Sequence, residues 1–267
     1  MKYSPPYSVT SAIREQAAAV CERLESLRAD GTADAVLQSG ELRRASRLRA
    51  VQATLAIEGG SLSLEQVAAV ADGRAVDGPP RDIREAHGTL SAYEKMAAWQ
   101  PHRLEDMLAA HALLKPEPAA EAGRLRTGGV GVFSGGRVVH MAPPAHLVHG
   151  HMCRLLSWLM ETDEQLLIAA CVFHWEFEFI HPFFDGNGRM GRPWQTLVLG
   201  RWNPLLACLP VEAGIYARQQ DYYGSLSLAD TEGEATVFVE YMLEVLEEAL
   251  SGLQGGQQGS RAGERPS

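Results

Sequence analysis

The sequence predicts a mainly α-helical fold interrupted by one short β-hairpin. Three observations carry the prediction. Apolar residues recur three and four positions apart over most of the chain, the spacing of one helix face. Start and stop signals punctuate these stretches: Gly59-Gly60 ends one, and Ser63 with Gln66 opens the next as a capping box. A single segment switches to β-branched runs, residues 130–133 and 137–140, around Ser134-Gly135-Gly136.

The elements follow in order. Residues 11–28 are Ala-rich with helical spacing, and 42–57 continue it. Residues 63–71, 81–99, 103–114, 149–160 and 163–179 read as further helices, 189–199 as another, and 236–250 as the last. Gly, Pro and Asp mark residues 73–80 as a loop, and Pro143-Pro144 ends the hairpin. Residues 252–267 are rich in Gly, Gln and Ser without periodicity, which predicts a disordered tail.

The chain has 267 residues, 46% hydrophobic and 21% charged, enough to bury a sizeable core. A net charge of −9 with no basic stripe gives no nucleic-acid footprint. The four cysteines are far apart and form no CxxC pair, which fits small buried hydrophobes in a reducing cytoplasm. Residues 1–10 hold no apolar leader core, and the apolar run 166–173 is too short for a bilayer, so no membrane association is expected.

Function concentrates in His181-Pro182-Phe183-Phe184-Asp185-Gly186-Asn187-Gly188-Arg189-Met190-Gly191-Arg192. The loop lies between two helical stretches. Gly186, Asn187 and Gly188 are able to take positive φ and present backbone N–H groups at the start of the next helix, where orphan donors and the dipole favour anions. Arg189 and Arg192 share a helix face, and guanidinium forks match phosphate oxygens in pairs. A polyphosphate is the natural guest. Asp185 supplies a hard oxygen ligand suited to Mg²⁺ beside phosphates. His181 is the candidate general base, since neutral imidazole accepts a hydroxyl proton near pH 7. His174, two turns earlier, reads as a packed core histidine.

The twelve residues fill every fixed position of H-P-F-x-[D/E]-G-N-[G/K]-R-x-x-R, and in this the chain resembles the Fic family. The resemblance implies a Fic-type helical domain whose β-hairpin is a flap over the active loop. It implies an adenylyltransferase that moves AMP from ATP to a Ser, Thr or Tyr hydroxyl of a protein. In that family the matching histidine is the base, the matching acid binds Mg²⁺, and the small residues and arginines, here Gly186 to Arg189, Gly191 and Arg192, hold the phosphates. Val132, Phe133, Ser134 and Gly135 would dock an extended target by strand addition. Tyr222 and Tyr223 resemble a later segment near the nucleobase, with core packing the competing assignment.

Upstream, Thr54-Leu55-Ala56-Ile57-Glu58-Gly59 resembles the family's inhibitory motif [S/T]-x-x-x-E-[G/N]. The resemblance implies that Glu58 pairs with Arg192 and blocks productive ATP binding. On that basis residues 1–80 form a helical region carrying the inhibitory helix and 81–251 the catalytic core. Partners so implied are ATP, a protein target, the chain itself through self-modification, and a second copy. Removal of AMP through Glu58, or nucleotide binding with little catalysis, are the alternatives. Pro193 departs from the family pattern, and it is tolerable only within a first helical turn.

Overall fold

The computed structural model describes residues 3–115, 120–134 and 137–261. Among these residues the architecture is a helical assembly around one central helix, with a two-stranded ladder at one side. Helix α1 (Ser11–Ala29) is capped by Thr10, whose hydroxyl accepts from the Ile13 N–H at 3.1 Å. Its face Ile13, Val20, Leu24 and Leu27 packs along the last helix, α12 (Thr236–Arg261). The chain ends are tied there by the Ala235 N–H, which donates to the Pro6 carbonyl at 2.9 Å.

Next come α2 (Thr32–Gln38), α3 (Gly40–Ile57), α4 (Leu64–Ala71), α5 (Pro80–Lys95) and α6 (Leu104–Leu114). The capping box at Ser63 and Gln66 closes in both directions. A satellite core of Leu48, Val51, Leu55, Val67, Ala86 and Leu90 joins α3, α4 and α5. Strands β1 (Gly131–Ser134) and β2 (Arg137–Met141) pair antiparallel, with Gly131 opposite Met141 and a register shift between Val132 and Phe133. Gly135, assigned to the hairpin tip, lies outside the described residues.

The second half holds α7 (Ala145–Glu161), α8 (Leu166–Ile180), α9 (Asn187–Trp202), α10 (Val211–Ala217) and α11 (Gln219–Glu232). Helix α8 is apolar on nearly every side, so it is buried on nearly every side, with α7, α9 and α12 packed on it. Gly191 permits the tightest of these contacts: a Cβ there would stand 2.5 Å from Glu178 Oε1 and 3.2 Å from His174.

Several boundaries differ from expectation. Helices α2, α10 and α11 were not foreseen, because short or weakly amphipathic segments carry little periodicity and are stabilised by tertiary packing. Helix α12 is continuous through Arg261 where composition predicted a tail, since an established helix adds one hydrogen bond per residue. Pro193 lies inside α9 beyond its first turn, so its missing N–H leaves the Arg189 carbonyl without its helical donor.

Candidate active site

Helix α8 ends at His181, the one non-glycine residue with positive φ among those described, at φ 48° and ψ 61°. That left-handed turn swings the imidazole off the helix axis toward the loop and is sterically costly for a side-chain-bearing residue. Its Nδ1 lies 3.3 Å from the Glu178 carbonyl. A carbonyl accepts only, so this contact places the proton on Nδ1 and makes Nε2 the ring nitrogen that carries the lone pair.

Arg126 holds this turn. Its Nε donates to the His181 carbonyl at 2.7 Å, one Nη donates to Ile180 and Pro143, and the other donates to Gly128. Its own N–H donates to the Pro182 carbonyl at 2.9 Å. A buried guanidinium thus satisfies the orphan carbonyls at the end of α8, where the helix dipole favours a cation. It also ties the active loop to both roots of the hairpin.

The loop itself is closed by Asn187. Its side-chain oxygen accepts from the Phe183 N–H and its amide donates to the Phe183 carbonyl, both at 2.9 Å. Phe183 is buried and stacks on His111, with centroids 3.8 Å apart and planes 5° from parallel. His111 Nδ1 accepts from the Gly123 N–H at 3.0 Å, so the proton sits on Nε2, which donates to the Asp185 carbonyl at 3.0 Å. Burial lowers the His111 pKa to about 4, so the ring is neutral and keeps this tautomer. Gly186 begins α9 at φ 87°.

The Asp185 carboxylate faces Lys115 and lies 3.4 Å from Arg189. Burial raises its pKa, but the hydrogen bond from Lys115 and the charge of Arg189 outweigh burial, and the net shift is downward. Arg189 is buried and also pairs with Glu85 of α5 at 3.0 Å, at an angle that does not make a hydrogen bond.

Opposite the loop, α3 ends in a Schellman turn. The Gly60 N–H donates to the Leu55 carbonyl and the Gly59 N–H to Ala56, both at 2.9 Å, with Gly59 at φ 82°. The turn fixes Glu58, the last residue before the glycines, against α9. Arg192 donates to Glu58 Oε1 at 2.7 Å and, through Nε, to the Thr54 hydroxyl at 2.9 Å. Burial lowers the Arg192 pKa, yet the Glu58 charge and hydrogen bond more than reverse this. Gly188 makes room for the pair, because a Cβ there would collide with Glu58 Oε1 and with Arg192 Nη1 at 2.8 Å.

The structure therefore brings Thr54, Glu58, His181, Asp185, Gly186, Gly188 and Arg192 around one loop. Four of the expected ligand residues also have partners within the fold. The Asn187 side chain is turned inward to clasp Phe183, and neither Asn187 nor Gly188 takes positive φ. Gly191 faces α8. The Arg189 guanidinium lies within ion-pair distance of Glu85 and Asp185, while its Nε and one Nη make no hydrogen bond. Tyr222 is buried, with its hydroxyl 3.1 Å from His174 Nε2, so it is a core residue, and Tyr223 alone of the pair keeps an exposed ring.

His174 is neutral in the core, its pKa lowered to about 3 by burial. Sequence reading missed Arg126, His111, Lys115 and Glu85. None lies in a motif with a local signature, and each acquires its role only by contact across the fold.

A helical fold that gathers helix-start amides, a guanidinium, a carboxylate and a histidine around one loop is an arrangement suited to an anionic, phosphate-bearing ligand. The Fic/DOC family model matches residues 101–199. A crystallised Fic family protein from Desulfovibrio desulfuricans G20 is 49% identical, superimposes with a TM-score of 0.91 and covers 96% of this chain and 78% of its own. The chain belongs to the Fic family. It is 31% identical over 205 residues to protein adenylyltransferase fic-1 of Caenorhabditis elegans, covering 71% of this chain and 37% of that one. It is 29% identical over 272 residues to protein adenylyltransferase Fic of Drosophila ananassae, covering 94% of this chain and 52% of that one. The chain thus spans about half or less of these curated relatives.

Proposed function

We propose that this chain is a self-inhibited protein adenylyltransferase, transferring AMP from ATP to a Ser, Thr or Tyr hydroxyl of a protein. One observation carries the reading: Glu58 closes on Arg192, directly over Gly188, at the helix start where phosphates would sit. In the reaction, His181 Nε2 takes the hydroxyl proton, the oxygen bonds to the α-phosphorus, and the bond to pyrophosphate breaks. The N–H groups opening α9 and the Arg192 guanidinium hold the phosphates, which Arg192 does only after leaving Glu58.

Asp185, whose carboxylate is half-exposed, is the residue that would hold a cation, and no cluster of three or more His, Cys, Asp or Glu ligands occurs among the described residues. Mg²⁺ is commonly held by one carboxylate with phosphate oxygens and water, and when bound it would neutralise phosphate charge. Lys115 now occupies that carboxylate and must give way.

The free edges of β1 and β2, rooted through Arg126 to the His181 turn, support docking of an extended target segment there, around Val132 to Ser134. The chain's own hydroxyls and those of a second copy are candidate acceptors. A cytoplasmic setting fits the sequence, and no helix among the described residues is long and apolar enough to cross a membrane.

The test is incubation of wild type, Glu58→Gly and Glu58→Gly/His181→Ala with MgCl₂ and α-labelled ATP, read by intact-protein mass spectrometry. An AMP adduct that rises in the single variant and vanishes in the double is expected. Equal labelling in all three overturns the reading. Loss of AMP from a pre-labelled protein only when Glu58 is present would favour the removal reaction.

A further inference from the structure

A cavity of about 460 Å³ opens between α3 and the C-terminal half of α9, away from the signature loop. The end of α5 and the short 3₁₀ turn Leu206–Cys208 close it. Its lining carries Arg43 and Arg47 from α3 and Arg201 from α9, against one acid, Glu94; Arg43, Arg201 and Glu94 are exposed at the mouth and Arg47 is half-buried. This positive surplus sits in a chain of net charge −9.

Among the described residues no carboxylate pairs with these three arginines. Arg201 donates to the Ala97 and Trp99 carbonyls, and Arg43 to the Ser39 carbonyl. The Arg47 Nε–H is shut off from solvent with no acceptor. A donor shut off from water without an acceptor is costly, although the rest of this half-buried guanidinium is not so enclosed. The rest of the wall is mainly apolar, including Leu197 and Leu209.

Helix α3 links this cavity to the active site. Arg43, Arg47, Ala50, Thr54 and Glu58 fall four, three, four and four positions apart, which is one face of the helix. That face meets α9 twice, through Thr54 and Glu58 on Arg192 at one end and across the cavity at the other.

We infer that the cavity is a binding site for a small organic anion, an apolar body bearing a phosphate or carboxylate, and that its occupant fastens α3 onto α9. One anion bridging Arg43 and Arg47 to Arg201 ties the two helices at the end opposite Glu58. Its regulatory meaning, a tighter Glu58–Arg192 closure, rests on the function proposed above. The site itself does not.

The test uses the full chain and 8-anilinonaphthalene-1-sulfonate, a sulfonate on an apolar aromatic body. Fluorescence titration is expected to give one saturable site. Its Kd should rise at least tenfold in Arg43→Ala/Arg47→Ala and stay unchanged in Arg74→Ala/Arg103→Ala, which removes the same charge from exposed positions outside the cavity. Filling the rim with Ala97→Trp should also abolish binding, without touching the arginines.

Equal binding by wild type and the cavity variants, or equal loss in the control pair, overturns the site. Phenyl phosphate or benzoate should displace the probe, the stronger of the two naming the preferred anion; displacement by neither also overturns it. Hydrogen exchange at residues 55–60 should slow when the probe binds wild type. Unchanged exchange refutes the coupling. No arm uses ATP, so failure of the adenylyltransferase reading leaves the outcome independent.

Discussion

Replacing Glu58 with Gly should weaken the fold while strengthening labelling, and these opposite signs are the useful feature. Arg192 is 1% exposed at its side chain and Glu58 31%. Removing one partner of a fully buried pair costs roughly 3–5 kcal/mol. Glu58 is partly solvated and Thr54 still accepts from Arg192, so solvent screening brings the loss to about 1–2 kcal/mol. The added glycine contributes about 0.5–1 kcal/mol more through chain entropy. For a chain of this size the sum lowers Tm by roughly 3–5 °C.

ATP with Mg²⁺ then supplies the anion that Arg192 has lost. At a hundredfold excess over Kd it should restore about 2.7 kcal/mol in Glu58→Gly, and less in wild type, where Glu58 competes. Differential scanning fluorimetry with and without MgATP, beside α-labelled ATP incorporation, measures both halves. Glu58→Gln, which keeps the shape but not the charge, should fall between. A variant that loses stability but gains neither ATP rescue nor labelling would refute the competition argument and leave Glu58 a purely structural anion.

Three further outcomes follow from the same geometry. Arg126→Lys keeps a charge but loses the fork that holds the carbonyls of residues 180, 181 and 143, so in a Glu58→Gly background kcat should fall at least tenfold with the KM for ATP little changed; an equal fall in apparent ATP affinity would count against a positioning role. Lys115→Met frees the Asp185 carboxylate, so the Mg²⁺ concentration for half-maximal labelling should drop several-fold, and an unchanged value would show that Lys115 does not compete. His111 and His174 are bases whose folded pKa values, about 4 and about 3, lie below the unfolded value of about 6.5. The unfolded state therefore binds more protons between these limits, and stability present above pH 6.5 is lost as pH falls. The loss is about 2 kcal/mol per histidine from pH 7 to 5, and His111→Gln should remove roughly half of the drop in Tm over that range.

Outside the signature loop, one carboxylate attends each signature arginine, and the two differ in kind. Glu58 stands at a helix end beside glycines, partly open to water. Glu85 lies in mid-helix against a buried Arg189 that is also held by Asp185. The first carboxylate is reachable from solvent and the second is enclosed, so under the proposed function the first is the one that a ligand anion should replace.

The sequence by itself determined the helical class, the hairpin strands, the capping box at Ser63, the glycine stop after Glu58 and the identity of the reactive loop. These are local properties: periodicity, cap chemistry and a contiguous motif are complete within a dozen residues. Tertiary structure decided which side chains of that motif face the site. Within the motif, the Asn187 side chain satisfies the buried backbone of Phe183, and Gly191 lets α9 approach α8. It also decided that Tyr222 is core, and that Arg126 and His111, many residues upstream, set the His181 turn and the Asp185 carbonyl. Burial and the pairing of distant polar groups are fixed only when the chain closes on itself, since an orphan carbonyl at a helix end is satisfied by whichever donor the packing delivers.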